Sequence, residues 1–120
     1  MPNRNVVHVE IPAVDFEQSG KFYQQLFGWK VTHIPEAHYS VWEAAEGSRG
    51  GFPLAGEDAT VGDVRIYIGS DDIEADLKKA RSLGAEVVQE KKEIPGRGWY
   101  GIFKDPAGNT IGLFTRTINS

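Results

Sequence analysis

The first residues of the chain that could do chemistry lie in a short run of alternating polar and apolar residues, VHVEI, at 7–11. His8 and Glu10 are two positions apart, so in a strand their side chains share one face, and Arg65 and Tyr67 repeat this spacing in the run VRIYI. These four groups could orient a small polar or anionic ligand, and His8 could act as an acid or a base. They could equally form an internal network that satisfies buried polar atoms.

Large aromatic side chains are the second group of candidates, because they could line a ligand site and stack on a flat substrate. Each of them could instead belong to the hydrophobic core. Gly112 precedes Phe114 on the same strand face, and its missing side chain could leave room for a ligand or let neighbouring aromatic rings pack. The aromatic candidates are Trp42, Trp99, Tyr100 and Phe114. The ligand-binding residues predicted from both groups are His8, Glu10, Trp42, Arg65, Tyr67, Tyr100 and Phe114.

Two other segments carry weaker signals. His33 and His38 flank a predicted turn, where histidines are more often exposed than metal-bound. In the segment EIPGRGW, Gly96 and Gly98 surround Arg97 and could form a mobile rim over a binding site, although an ordinary loop with a solvated arginine is the simpler interpretation.

The candidate strands belong to a pattern that occurs twice. Residues 7–31 and residues 64–88 each read as a strand, a helix introduced by aspartate, a closing glycine and another strand. A duplicated strand–helix unit in a chain this short restricts the possible folds. The first helix is predicted to follow Asp15, with Gln18 completing a capping box, and to end at Gly28.

In the second copy, Asp71 and Glu74 are predicted to form the capping box, and Gly84 closes the helix. Both helices carry apolar residues at helical spacing. These are Phe16, Gly20, Tyr23, Leu26 and Phe27 in the first, and Ile73, Leu77, Ala80 and Leu83 in the second. Strands are predicted at 6–11, 29–34, 39–44, 51–53, 64–68, 85–91, 99–104 and 109–115, the last two joined by the turn DPAGN. The chain is interpreted as a single domain with module one at 1–53, a connection at 54–61 and module two at 62–120.

Composition excludes several classes of function. The 120 residues include no cysteine, which removes disulfides, thiolate metal sites and cysteine nucleophiles. With 13 Lys and Arg against 17 Asp and Glu, the formal charge of −4 argues against nucleic-acid binding. No apolar run approaches membrane-spanning length and the first residues lack a signal-peptide pattern, so a cytoplasmic protein that uses no membrane is predicted.

Three segments together resemble the vicinal oxygen chelate superfamily, the group of glyoxalases, bleomycin-resistance proteins and dioxygenases. They are VDFEQSGKFYQQLFGW in the first half, and SDDIEADLKKARSLGAEV and GWYGIFKDPAGNTIGLF in the second. The resemblance implies an α+β fold in which two βαβββ modules form an open curved barrel, the glyoxalase-like fold. It also implies an active site inside the curl and frequent homodimers.

In the metal-dependent members that this chain resembles, each module supplies one metal ligand from its first strand and one from its last. His8 matches the first position, and Arg65 is its counterpart, because each lies seven residues before an aspartate that leads a helix. If Asp15 were matched with Asp71 instead of Asp72, Val64 would be the counterpart of His8, but Val64 is predicted to share the apolar strand face. The last-strand glutamate is replaced by Gly112, and residues 51–53 offer no donor. Only one of the four ligand positions is matched, so we predict no tightly bound metal and no cofactor.

We therefore predict a glyoxalase-like or bleomycin-resistance-like homodimer that binds a small organic ligand in the concave face of its sheets. The alternative is a metal-dependent lyase, isomerase or dioxygenase of the same superfamily with an atypical site. A third interpretation is an interaction module that functions through its dimer surface. The sequence names neither the ligand nor a reaction.

Overall fold

A computed structural model of the protein describes residues 4–56 and 59–116. Helices and strands follow the order β-α-β-β-β twice, which confirms the predicted α+β class with two βαβββ modules. The first copy contains β1 (Val6–Glu10), α1 (Phe16–Phe27), β2 (Lys30–Ile34), a 3₁₀ turn (Pro35–Ala37), β3 (Tyr39–Glu43) and β4 (Arg49–Pro53). The second contains β5 (Arg65–Gly69), α2 (Ile73–Ser82), β6 (Glu86–Ile94), β7 (Gly98–Lys104) and β8 (Thr110–Arg116).

The chain divides into two compact units at the start of each copy. The first unit comprises residues 7–65, and the second comprises the described residues 4–6 and 66–116. In the first unit the strand order is β2-β3-β4-β1, and in the second it is β5-β8-β7-β6. The last strand of each copy pairs in parallel with the first strand, and the remaining pairs are antiparallel. Within the described residues, neither helix is long and apolar enough to span a membrane.

The core of the first unit is built mainly from aromatic rings. Phe52 and Trp42 are 0% and 3% exposed, and Trp42 stacks on Trp29 with 3.9 Å between ring centroids. Tyr23 of α1 stacks on Phe52 from the helix side. Flat rings bury large apolar areas, so a few of them are enough to fix α1 against the sheet.

Aliphatic side chains dominate the core of the second unit. Ile73 and Leu77, one turn apart on α2, are each 1% exposed, and they form a buried cluster with Leu113 of β8. Because residues four apart lie on one helix face, these two side chains bring that face onto the sheet. Leu83, predicted to extend this stripe, is 69% exposed because it lies beyond the last helical residue, where the helical period no longer directs it.

Local signals set the helix ends. The carboxylate of Asp15 accepts hydrogen bonds from the backbone N–H groups of Glu17 (2.9 Å) and Gln18 (3.3 Å), and α1 ends at Gly28 with φ 76°. Leu26 and Phe27, predicted to belong to the buried stripe of α1, are 59% and 58% exposed. The ring of Phe27 packs against Trp29, which follows the helix.

For α2 the predicted cap is wrong by one residue. Asp72, not Asp71, is the N-cap, and its carboxylate accepts a hydrogen bond from the N–H of Ala75 at 3.0 Å. Ser70 holds the preceding backbone by accepting a hydrogen bond from the N–H of Asp72 (3.2 Å). The closing Gly84 is confirmed, since its φ of 101° is the left-handed conformation that follows a helix end.

Candidate functional site

The polar site of the first unit is a hydrogen-bonded network formed by His8, Tyr39 and Glu10. His8 and Glu10 share one face of β1, as their spacing predicted, and Tyr39 is the first residue of β3. The Tyr39 hydroxyl lies 2.7 Å from Nε2 of His8 and donates to Oε2 of Glu10 at 2.9 Å. The side chains of His8 and Glu10 are 27% and 16% exposed, so the network is partly buried but reaches the surface.

The direction of these hydrogen bonds fixes the state of the imidazole. Because the single phenolic proton goes to Glu10, Nε2 of His8 is the donor toward the phenol oxygen, and the Nε2–H tautomer follows. Burial and, as a smaller effect, the positive charge of Arg49 lower the pKa of His8 from 6.5 to about 4. His8 is therefore neutral at pH 7, and its 4.0 Å approach to Glu10 is not an ion pair there.

Arg49 extends this electrostatic environment from β4. Its guanidinium pairs with the carboxylate of Glu43 on β3 at 3.1 Å, and both side chains are partly exposed. An exposed pair of this kind adds little stability. Its effect on the site is to place a fixed positive charge near His8, which disfavours a second cation at that position.

A small recess adjoins the network. Its volume is about 10 Å³, room for about one water molecule, and Glu10 and Arg65 both line it. Within the described chain, Arg65 forms no hydrogen bond or salt bridge with a neighbouring side chain. Glu10 belongs to both the network and the recess, which connects the hydrogen-bonded chain to a surface where a ligand could bind. The recess is lined by Glu10, Pro12, Pro53, Ala59, Asp63 and Arg65.

Tyr39 reaches the network because β4 contributes a glycine beneath its ring. Gly51 is buried, and a Cβ at this position would overlap the phenol of Tyr39. Tyr39 pairs with Pro53 across β3 and β4, so its ring leans diagonally along the strand over Gly51. Glycine in this strand therefore allows a close approach that other residues would block.

The second unit repeats this close approach with different residues. Tyr67 is 7% exposed and lies directly opposite Gly112 across β5 and β8, and a Cβ at Gly112 would overlap its ring. Of the two interpretations left open for Gly112, the structure shows aromatic packing. In both units a glycine of the last strand is covered by a tyrosine.

The residues of the first unit do not fit the divalent metal that the superfamily resemblance implies. Among residues 4–56 and 59–116, no group of three His, Cys, Asp or Glu side chains is placed to hold a metal ion. His8 and Glu10 already share the phenol of Tyr39, and at Gly51 and Gly112 the volume of a side chain is filled by a ring. We derive no chemistry through a metal.

The remaining predicted residues have other environments. Trp42 is 3% exposed within the aromatic core, so it offers almost no surface to a ligand. Tyr100 and Phe114 are half-buried and face each other across β7 and β8 in the second unit. His33 and His38 are both exposed, and His33 hydrogen-bonds to Ser40.

Two details of the sequence interpretation change. Val64 lies just before β5 and is 56% exposed, so it does not share a buried apolar face. The predicted rim at 93–99 is a short turn, in which the N–H of Arg97 donates to the carbonyl of Ile94, and Gly98 is a buried residue of β7.

Sequence reasoning missed Tyr39, the central residue of the network. One signal was available, because Tyr39 opens a strand paired with the glycine-containing strand β4. A glycine pair in a strand often marks a close approach by a neighbouring group. The partner could not be read from the sequence, since it depends on the register between β3 and β4.

Comparison with known proteins places the fold in a family. The family model described as Glyoxalase-like domain matches residues 7–114. The chain belongs to this family. A glyoxylase-like domain-containing protein of Didymella fabae is 29% identical over 122 residues, covering 90% of this glyoxalase-like chain and 91% of the relative.

Solved structures support the same fold. Methylmalonyl-CoA epimerase from Mycobacterium tuberculosis has a TM-score of 0.74 at 15% identity, covering 93% of this glyoxalase-like protein and 87% of the epimerase. A glyoxalase/bleomycin resistance protein/dioxygenase superfamily member from Vibrio splendidus 12B01 has a TM-score of 0.67 at 14% identity, over 94% and 99% of the two chains. Likeness at these identities shows the fold alone, and it confirms the predicted glyoxalase-like fold class. The match to the family model confirms the predicted superfamily.

Proposed function

We propose that this glyoxalase-like protein binds a small organic ligand at the polar site of the first unit, without a tightly bound metal. The observation that supports this most directly is the position of Glu10, which takes part in the hydrogen-bonded network and also lines the recess beside Arg65. A purely internal network would not need a member that faces the recess.

The recess favours the polar end of a ligand. Small-molecule sites usually have volumes of about 300–1,000 Å³, whereas the recess has a volume of about 10 Å³, so only a single polar group at the end of a ligand would enter. Arg65 would bind an anionic or carbonyl oxygen, and Glu10 would accept a hydrogen bond from a donor group. Trp42 and Tyr67 are buried and are not part of this proposal. The ligand-binding roles of Tyr100 and Phe114, which lie in the second unit, stay predictions.

A binding screen tests the proposal. The melting temperature would be measured with small organic acids, amines, coenzyme A thioesters and divalent metal salts, because a ligand that binds the folded state raises it. Thioesters are included because the epimerase of similar fold acts, by its name, on methylmalonyl-CoA. We expect at least one organic class to raise the melting temperature and to lose that effect in Arg65→Gln and Glu10→Gln.

Matched controls come from an exposed ion pair in the second unit. Arg81 and Glu90 lie 2.7 Å apart with side chains 56% and 67% exposed, and neither residue lines the recess, so Arg81→Gln and Glu90→Gln remove the same charges from another site. They should retain the ligand effect. If the ligand still raised the melting temperature of Arg65→Gln and Glu10→Gln, the proposed site would be contradicted. Stoichiometric metal in the purified protein would contradict the proposal that no metal is tightly bound.

One observation favours a second candidate function, proton transfer on the bound ligand. The hydrogen bonds from His8 to Tyr39 and from Tyr39 to Glu10 end at a carboxylate that lines the recess. A carboxylate held in this way can remove a proton from a bound carbon or oxygen acid, and this contribution is worth about 10²–10⁴-fold in rate. Deuterium incorporation into any ligand found by the screen, lost in Glu10→Gln, would support an enzyme over a binder.

The predicted homodimer is also retained as a proposal. Light scattering on the purified protein measures the mass directly. A mass near twice the 13.3 kDa of one chain would support it, and a monomer at all concentrations would contradict it.

A further inference from the structure

We infer that the phenol of Tyr39 takes the place of a metal ion as the shared partner of His8 and Glu10. This inference rests on the metal-free part of the proposed function and explains it from the residues of the first unit. It does not depend on which organic ligand binds.

The two side chains already converge on one point. The phenol oxygen lies 2.7 Å from Nε2 of His8 and 2.9 Å from Oε2 of Glu10. Nitrogen and oxygen ligands approach a zinc ion at about 2.0–2.2 Å, so both groups would need to move by less than about 1 Å to bind an ion at this point. The phenol occupies the position that such an ion would need.

Residue 51 points toward the same position. A Cβ at Gly51 would overlap the phenol of Tyr39, so a longer side chain there would start where the hydroxyl now lies. The ring of Tyr39 and a carboxylate at position 51 therefore exclude each other. In the metal-dependent members that the sequence resembles, the last strand of the module supplies the carboxylate, whereas here that strand supplies the glycine that admits the ring.

Charge favours the phenol over an ion. The phenol hydrogen-bonds to both His8 and the Glu10 carboxylate without adding charge. The fixed positive charge of Arg49 acts on His8 and would repel a divalent cation bound there. A hydrogen bond to a charged carboxylate contributes about 1.5–3 kcal/mol, so the phenol stabilises this arrangement.

The second unit provides an internal comparison. Tyr67 covers Gly112 as Tyr39 covers Gly51, but all three histidines of the chain, at positions 8, 33 and 38, lie in the first unit. Removing the Tyr67 ring from above Gly112 would therefore expose no imidazole in the second unit.

The test exchanges the phenol for a carboxylate. In Tyr39→Glu, which keeps Gly51, the new carboxylate, His8 and Glu10 supply three donors, enough for an ion that completes its shell with water. After incubation with Zn²⁺ and dialysis, we expect no retained zinc in the unaltered protein and about one equivalent in Tyr39→Glu, by elemental analysis. Adding His8→Gln should remove it. The matched control, Tyr39→Gln, has the same shape without the carboxylate charge and should retain none.

Each outcome decides between the proposals. Stoichiometric zinc in the unaltered protein overturns both this inference and the metal-free part of the proposed function. A folded Tyr39→Glu variant that retains no more zinc than the unaltered protein overturns this inference alone, and the ligand screen is unaffected.

A second measurement applies even if Tyr39→Glu does not fold. In Tyr39→Phe the ring remains but the phenol oxygen is lost, so the Nε2–H signal of His8 in ¹⁵N NMR spectra should lose its protection from solvent exchange. An unchanged signal would show that Tyr39 is not the partner of His8, and it would overturn the inference.

Discussion

Acid sensitivity of folding is the sharpest consequence of the buried imidazole. Burial, and secondarily Arg49, lowers the pKa of His8 from 6.5 to about 4, so the folded state resists protonation of a group that the unfolded chain protonates readily. Between these two values the unfolded state binds more protons than the folded state. Stability must therefore fall as the pH decreases from above 6.5 toward 4.

The size of this effect follows from the two pKa values. One pKa unit corresponds to 1.36 kcal/mol, so the interval from 6.5 to about 4 gives a total loss of about 3 kcal/mol once the pH is below 4. At pH 5, where the unfolded imidazole is almost fully charged and the folded one is not, the expected loss is about 2 kcal/mol. The His8 side chain is 27% exposed, so solvent screening is limited.

Urea unfolding at pH 7.5 and pH 5.0 measures this loss. In His8→Gln, an amide can still donate to Tyr39 but cannot titrate, so its stability should fall by about 2 kcal/mol less than that of the unaltered protein between the two values. The control His38→Asn replaces an exposed histidine with a residue that tolerates its left-handed backbone, φ 50°. This control should lose as much stability between pH 7.5 and pH 5.0 as the unaltered protein.

The reasoning would be refuted if the unaltered protein and His8→Gln lost stability equally. That result would mean that His8 takes up a proton in the folded state as easily as in the unfolded state. An NMR titration of the His8 ring would then show a pKa close to 6.5 rather than about 4.

Three further predictions concern neighbouring features. Arg49→Gln removes a positive charge near His8 and should raise the pKa of His8, measured by NMR titration. Gly112→Ala forces a methyl group into an aromatic ring and should lower the free energy of unfolding by about 1–3 kcal/mol or more in urea. Asp72→Ala should cost about 1 kcal/mol through loss of the helix cap, whereas Asp71→Ala should cost little.

Each of these has its own control and contrary result. Lys104→Gln removes a positive charge in the second unit and should leave the pKa of His8 unchanged. Gly56→Ala adds a methyl group where no atom lies within 4 Å, so a loss as large as that of Gly112→Ala would contradict the packing argument. Equal losses in Asp71→Ala and Asp72→Ala would contradict the assignment of the cap.

Much of the scaffold could be predicted because its signals are local. The cap at Asp15, the closing glycines at 28 and 84, and the turn at 105–109 each depend on residues within five positions of one another. The error between Asp71 and Asp72 has the same origin, since two adjacent aspartates offer the same side chain. Only the backbone conformation distinguishes them.

The site could be predicted only in part, because its contacts join distant residues. The shared face of His8 and Glu10 follows from their spacing, but Tyr39 lies 31 and 29 residues away from them in sequence. Its approach depends on strand register, which the chain specifies through the whole sheet. Aromatic burial has the same limit, since nothing local separates the core residue Trp42 from the partly exposed Trp99.

The irregular pairing of β6 has a consequence for solubility. This strand is the outermost of the second unit, and its register with β7 shifts on both sides of Gln89. The exposed Lys91 and Lys92 lie on it as well. A regular, apolar outer strand invites added strands from other molecules, whereas bulges and charges prevent this. The edge that looks least ordered therefore protects the folded protein from aggregation.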